Sequence, residues 1–91
     1  MNYDCKHDIT PNEFKVTFIH RVTGNKYKIH DNGGGYGMKE LKICKENMRR
    51  CQMKDGESVS DFTDRITQER LMPNRFIPQL IEDAGTRKRD N

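Results

Sequence analysis

The sequence predicts an α+β fold: an N-terminal antiparallel β-hairpin covered by two or three helices. Three observations predict it. Residues 14–22 and 26–31 alternate apolar and polar side chains and are rich in β-branched and aromatic residues. Gly24-Asn25 lies between them, where a hairpin reverses. Beyond the glycine-rich run 33–37, apolar residues recur every three or four positions, which is helical spacing.

The hairpin comes first. Gly24-Asn25 suits a two-residue type II′ turn, because glycine takes the positive φ of the first central position. That turn sets Thr23 opposite Lys26, Val22 opposite Tyr27 and His20 opposite Ile29. Side chains alternate across a strand, so two faces follow. One carries Phe14, Val16, Phe18, His20, Val22, Tyr27 and Ile29. The other carries Lys15, Thr17, Ile19, Arg21, Lys26, Lys28 and His30. A one-residue slip mixes oily and cationic side chains, so turn and pattern agree on this sorting. The apolar face needs a cover, since an isolated hairpin is marginal in water. The basic face looks outward, as an ordinary solvated face or as a surface for anionic groups.

The first 13 residues are polar and end in the turn-forming cluster Thr10-Pro11-Asn12. Residues 3–5 read as an arm or a short third edge strand. Cys5 and His7 are metal-ligating types, but the stretch falls short of the paired spacings of a zinc site. His20 and His30 project from opposite faces and do not complete one. His20, among apolar neighbours, reads as a hydrogen-bonded core residue.

Asn32-Gly33-Gly34-Gly35-Tyr36-Gly37 follows the second strand. Strand, glycine loop and helix form the layout of a phosphate cradle. The run lacks the Gly-Lys-Ser/Thr ending and the dinucleotide spacing, so it reads as a flexible connection. Tyr36, between glycines, is an aromatic available to stack on a base or fill a partner's pocket.

A first helix is expected over 38–54. Leu41, Cys44, Met48 and Cys51 step by three and four along one stripe, which should cover the apolar face of the hairpin. Cys44 and Cys51 lie about 10 Å apart along that axis, too far for a mutual disulfide. Lys39, Lys42, Arg49 and Arg50 form the opposite, basic strip. Gly56 caps this helix. A second helix is expected over 59–71, with Ser58 and Asp61 as a capping pair and Val59, Phe62 and Ile66 as its buried stripe. Asp61 and Asp64 serve the helix dipole rather than acid–base chemistry. Pro73 ends it. A short third helix over 78–84 starts at Pro78 and closes at Gly85, with Phe76, Ile77, Leu80 and Ile81 as apolar contacts. Residues 86–91 read as a basic disordered tail, leaving 1–85 as a single domain.

Composition bounds the function. Only 17 of the 91 residues are Leu, Ile, Val or Phe, so the core is small and a partner or self-association would steady it. The net charge is +3, but residues 14–54 carry +7 and residues 55–85 carry −4. The basic half steers toward phosphates or an acidic protein, and the acidic half suits the basic half of a second copy, so a homodimer is one expectation. Three cysteines with no leader segment point to a reducing, intracellular (cytoplasmic) setting. No apolar run reaches the ~20 residues that span a bilayer, so no membrane role is expected. No nucleophile sits in an elbow or dyad spacing, and no cofactor or metal motif is complete, so an enzyme is the least supported class.

The expectation is a small non-enzymatic interaction module, a regulator or inhibitor that docks on a protein or nucleoprotein partner. Its contact residues would be Lys15, Arg21, Lys26, Lys28, His30, Tyr36, Lys42 and Arg49. The alternative is direct nucleic-acid binding by the basic hairpin and first helix. Against it stand the modest charge and an exposed strand face without an aromatic for stacking.

Overall fold

The computed structural model describes residues 2–32 and 37–89, the side chains of 86–89 excepted. The chain is α+β. Three strands, β1 (Tyr3–Thr10), β2 (Glu13–His20) and β3 (Lys26–Asp31), form one antiparallel sheet in that order. Three helices follow: α1 (Met38–Arg50), α2 (Val59–Gln68) and α3 (Ile77–Arg89), the last preceded by a 3₁₀ turn at Asn74–Phe76. The chain divides into two compact units within α1, Met1–Lys45 and Glu46–Asn91.

In the first unit, the arm is a full strand. β1 pairs with β2 along its whole length, from Tyr3 opposite His20 to Thr10 opposite Glu13, around a turn at Pro11-Asn12. Polarity hid it: one side of β1 is Asp4, Lys6 and Asp8, and the other holds one large apolar residue, Ile9, besides Tyr3.

The β2–β3 register differs from the expected one. Tyr27 faces Phe18 rather than Val22, and Ile29 faces Val16 rather than His20. The strands close at His20, whose N–H donates to the Asn25 carbonyl at 2.9 Å. A four-residue loop, 21–24, replaces the two-residue turn. Its stabiliser is His20. The imidazole Nδ1 accepts the backbone N–H groups of Val22 at 3.2 Å and Thr23 at 3.1 Å. The Gly24 N–H returns to the His20 carbonyl at 2.9 Å, with glycine at φ +77°. Val22 is thereby left 55% exposed in the loop instead of buried in a strand.

The shift is even, so the face sorting survives. Phe14, Val16, Phe18, His20 and Tyr27 are all at most 3% exposed. Tyr3 joins them, its ring edge-on to His20 at 4.9 Å and to Tyr27 at 5.8 Å. Burying such rings stabilises by about 1.5–3 kcal/mol each, which gives this small sheet its interior. From α1, Leu41 is buried and Cys44 is half-buried. Gly37 donates its N–H to the Glu40 carboxylate at 2.8 Å, fixing the helix start.

In the second unit, α1 ends at Arg50, four residues early, because Cys51 closes its last turn onto Asn47 and Met48. Gly56 therefore caps no helix. It takes φ +78° in a turn where the Glu57 N–H donates to the Lys54 carbonyl at 3.0 Å. The Ser58 hydroxyl accepts the Asp61 N–H at 3.1 Å, as its capping position demands. α2 buries Phe62 and Ile66, but Val59 at its first position is 45% exposed. The helix stops at Gln68, and Leu71 and Met72 turn inward beyond it. Phe76, Leu80 and Ala84 complete the interior with Met48, Cys51 and Met53. Ile77 and Ile81 are half-buried. α3 does not close at Gly85. Its backbone continues to Arg89, so 86–89 of the expected disordered tail 86–91 are helical, and 90–91 lie outside the described residues.

Candidate functional site: the outer face of the sheet

The outward side chains of the sheet stand in cross-strand rows fixed by the register. One row is Asp4, Ile19, Lys26, the next is Lys6, Thr17, Lys28, and the third is Asp8, Lys15, His30. Lys6, Lys15, Lys26, Lys28 and His30 are exposed, whereas Thr17 and Ile19 at the centre are half-buried. Arg21 extends the face from the loop.

The third strand changes the electrostatics of this face. Asp4 and Asp8 of β1 join Glu13, at the start of β2, among the cations that the hairpin shows. Arg21 Nε donates to Asp4 Oδ1 at 2.9 Å. His30 Nε2 lies 2.8 Å from Glu13 Oε2, and Lys15 Nζ lies 3.4 Å from Glu13 Oε1. The hydrogen bond from His30, and then the charge of Lys15, hold the Glu13 carboxyl below its ordinary range. These pairs are solvent-exposed, so water and salt screen them strongly. They organise the charge pattern more than they stabilise it. Lys26 and Lys28 sit together on β3, across the sheet from Asp4 and Asp8 of β1.

Of the expected contact residues, the structure brings Lys15, Arg21, Lys26, Lys28 and His30 onto one surface. Lys42 is exposed on α1 in the same unit. Arg49 belongs to the second unit, where its Nη1 lies 3.3 Å from Glu46 Oε2. Tyr36 and the glycine run 33–35 lie outside the described residues. Lys6 is absent from the expected set because its polar surroundings read as an arm rather than a strand.

An apolar notch of about 320 Å³ opens in the first unit between Phe14, Ile29, Ile43 and Cys44, with Asp31 and Glu40 at its rim. In the second unit, a groove of about 610 Å³ runs past Thr67, Arg70 and Asn74. No group of three His, Cys, Asp or Glu residues suited to a metal ion occurs among the described residues. Cys5 and His7 share the inner side of β1, with His7 exposed. All three cysteines are free thiols. Among the described residues, no helix is long and apolar enough to cross a membrane.

A dense polar cluster lies in the second unit, and sequence reasoning did not single it out. Arg65 grips Glu57 with both ends of its guanidinium, at 2.9 and 3.0 Å. It also donates to the carbonyls of Arg50 at 2.6 Å and Gln52 at 2.9 Å. Its guanidinium lies 5.6 Å from the Phe62 ring centre. The hydrogen bonds from Arg65, with one from the Lys54 N–H, hold the Glu57 carboxyl down at about 2. This cluster joins the end of α1, the 51–58 connection and α2, which is a structural role. No family model, no curated protein and no solved structure matches the chain.

Proposed function

We propose that the chain is a small non-enzymatic interaction module, a regulator or inhibitor acting inside the cell, that docks on an acidic protein or nucleoprotein partner through the outer face of its sheet. The single observation that carries the reading is the sorting of the hairpin. Phe18 and Tyr27 are fully buried, while Lys26 and Lys28 stand exposed beside half-buried Thr17 and Ile19. A sheet face with a cationic edge and a less polar centre is suited to protein docking. The mixed signs favour a protein surface over an unbroken phosphate backbone, which rewards uniform positive charge.

The test uses the full chain. Wild type and Lys26→Glu/Lys28→Glu are used to capture partners from the native host, with and without nuclease. Capture of a defined protein by wild type, resistant to nuclease and lost in the double variant, is the expected result. Equal capture by both would remove this face from the proposal. Nuclease-sensitive capture with steep salt dependence would give the surface to nucleic acid instead.

A further inference from the structure

The free edge of β1 has a hydrogen-bonding phase that can be read from one contact. The Arg21 N–H donates to the Asn2 carbonyl at 2.9 Å, continuing the β1–β2 ladder. Backbone groups alternate in direction along an antiparallel strand. Even-numbered residues of β1 therefore bond to β2, and Cys5, His7 and Ile9 aim their N–H and C=O groups away from the sheet. Lys6, His7 and Asp8 are exposed, so this stretch of the edge is reachable. An open edge with such groups is a template for another strand.

We propose that the edge pairs with the same edge of a second copy, antiparallel, about a two-fold axis through His7. Charge decides the register. The outward side chains run Asp4, Lys6, Asp8. An axis through Lys6 sets Lys6 against Lys6 and Asp4 against Asp8, all like charges. An axis through Cys5 draws on Asp4, which already holds Arg21 at 2.9 Å, and leaves Ile9 unused. An axis through His7 sets Lys6 opposite Asp8 twice, and neither residue has an ion-pair partner among the described residues. These rows are non-hydrogen-bonded pairs, in which opposed side chains approach most closely. On the inner side, Cys5 meets Ile9 twice and His7 meets His7.

The pairing supplies about six backbone hydrogen bonds, two for each of three residue pairs. It builds one six-stranded sheet with the Lys26 and Lys28 edges at its two ends. A single strand-to-strand seam of three hydrogen-bonded residue pairs is a small contact beside the roughly 1,200 Å² of stable interfaces, so association is weak.

Sedimentation velocity over about 10 µM to 1 mM protein spans the expected range of dissociation constants. The wild-type mass rises toward twice the 10.7 kDa of the chain. Lys6→Asp and Asp8→Lys each set like charges face to face and hold the mass at one chain. The double variant Lys6→Asp/Asp8→Lys restores the rise. His7→Pro deletes the central outward N–H, and proline is tolerated on an edge strand, so it too stays monomeric. Amide exchange at Cys5, His7 and Ile9 slows with concentration in wild type. A wild-type mass fixed at one chain up to 1 mM overturns the proposal, as does a rise that both single charge reversals leave unchanged.

Discussion

Arg65 ties three segments together with one guanidinium, and its side chain is only 15% exposed. Truncation strands the Glu57 carboxylate and two carbonyls. Arg65→Ala should therefore cost about 2–4 kcal/mol, measured by urea denaturation, with Arg65→Lys recovering only part because ammonium lacks the planar fork. The pair also makes stability pH-dependent. The Glu57 pKa is lowered from 4.5 to about 2, so its stabilising effect is present above pH 4.5 and is lost as pH falls toward 2. The stability gap between wild type and Glu57→Gln should be wide at pH 7 and narrow steadily between pH 4.5 and 2. Burial pushes the Cys51 thiol up to about 12, and it is 2% exposed. At pH 8, iodoacetamide should modify Cys5 and Cys44 before Cys51 in the folded chain, and all three alike in urea. Cys51 lies on the helical stripe legible in the sequence. Arg65 gives no such signal, because its partners lie eight to fifteen positions away and no periodicity connects them.

Gly24 and Arg70 both take left-handed backbone, with opposite consequences for substitution. Gly24 has φ +77°, and a methyl group added there would meet nothing within 4 Å, so a substitution faces backbone strain alone. Gly24→Ala should lower stability by about 1 kcal/mol. Arg70 has φ 51° just past the end of α2, where glycine is the usual residue. Arg70→Gly should raise stability by about 0.5–1 kcal/mol, read as a shift of the urea midpoint. The strand and helix types were legible from periodicity, while their ends were not. The type II′ turn at Gly24-Asn25 lost to the loop that His20 Nδ1 organises, a side-chain contact that turn propensities do not include. α1 stopped before Gly56, and α3 ran through Gly85. Glycine at those positions reports permission for a bend, and packing decides whether a bend is made.

The charge pattern of the whole molecule looks different once the compact units are known. Along the sequence, +7 and −4 segments suggest a dipolar molecule. Grouped by unit, Met1–Lys45 has eight basic and five acidic side chains, and Glu46–Asn91 has nine of each. The first unit carries +3 and the second is neutral. Polyanion binding should accordingly be weak, with wild type leaving heparin below about 0.3 M salt. Elution beyond about 0.5 M would show a denser cationic surface than this sheet presents.

Periodicity along the chain was enough for the α+β class and, Val22 excepted, for which hairpin side chains go inside, because a period-two pattern survives any even slip of register. The sequence also located the Ser58 cap, which depends on neighbours three positions apart. Tertiary structure alone decided that β1 is a full strand, that its acids temper the basic face, and that Arg65 clasps Glu57. Those outcomes depend on residues brought together from separate segments, and their energies exist only after the backbone has placed them.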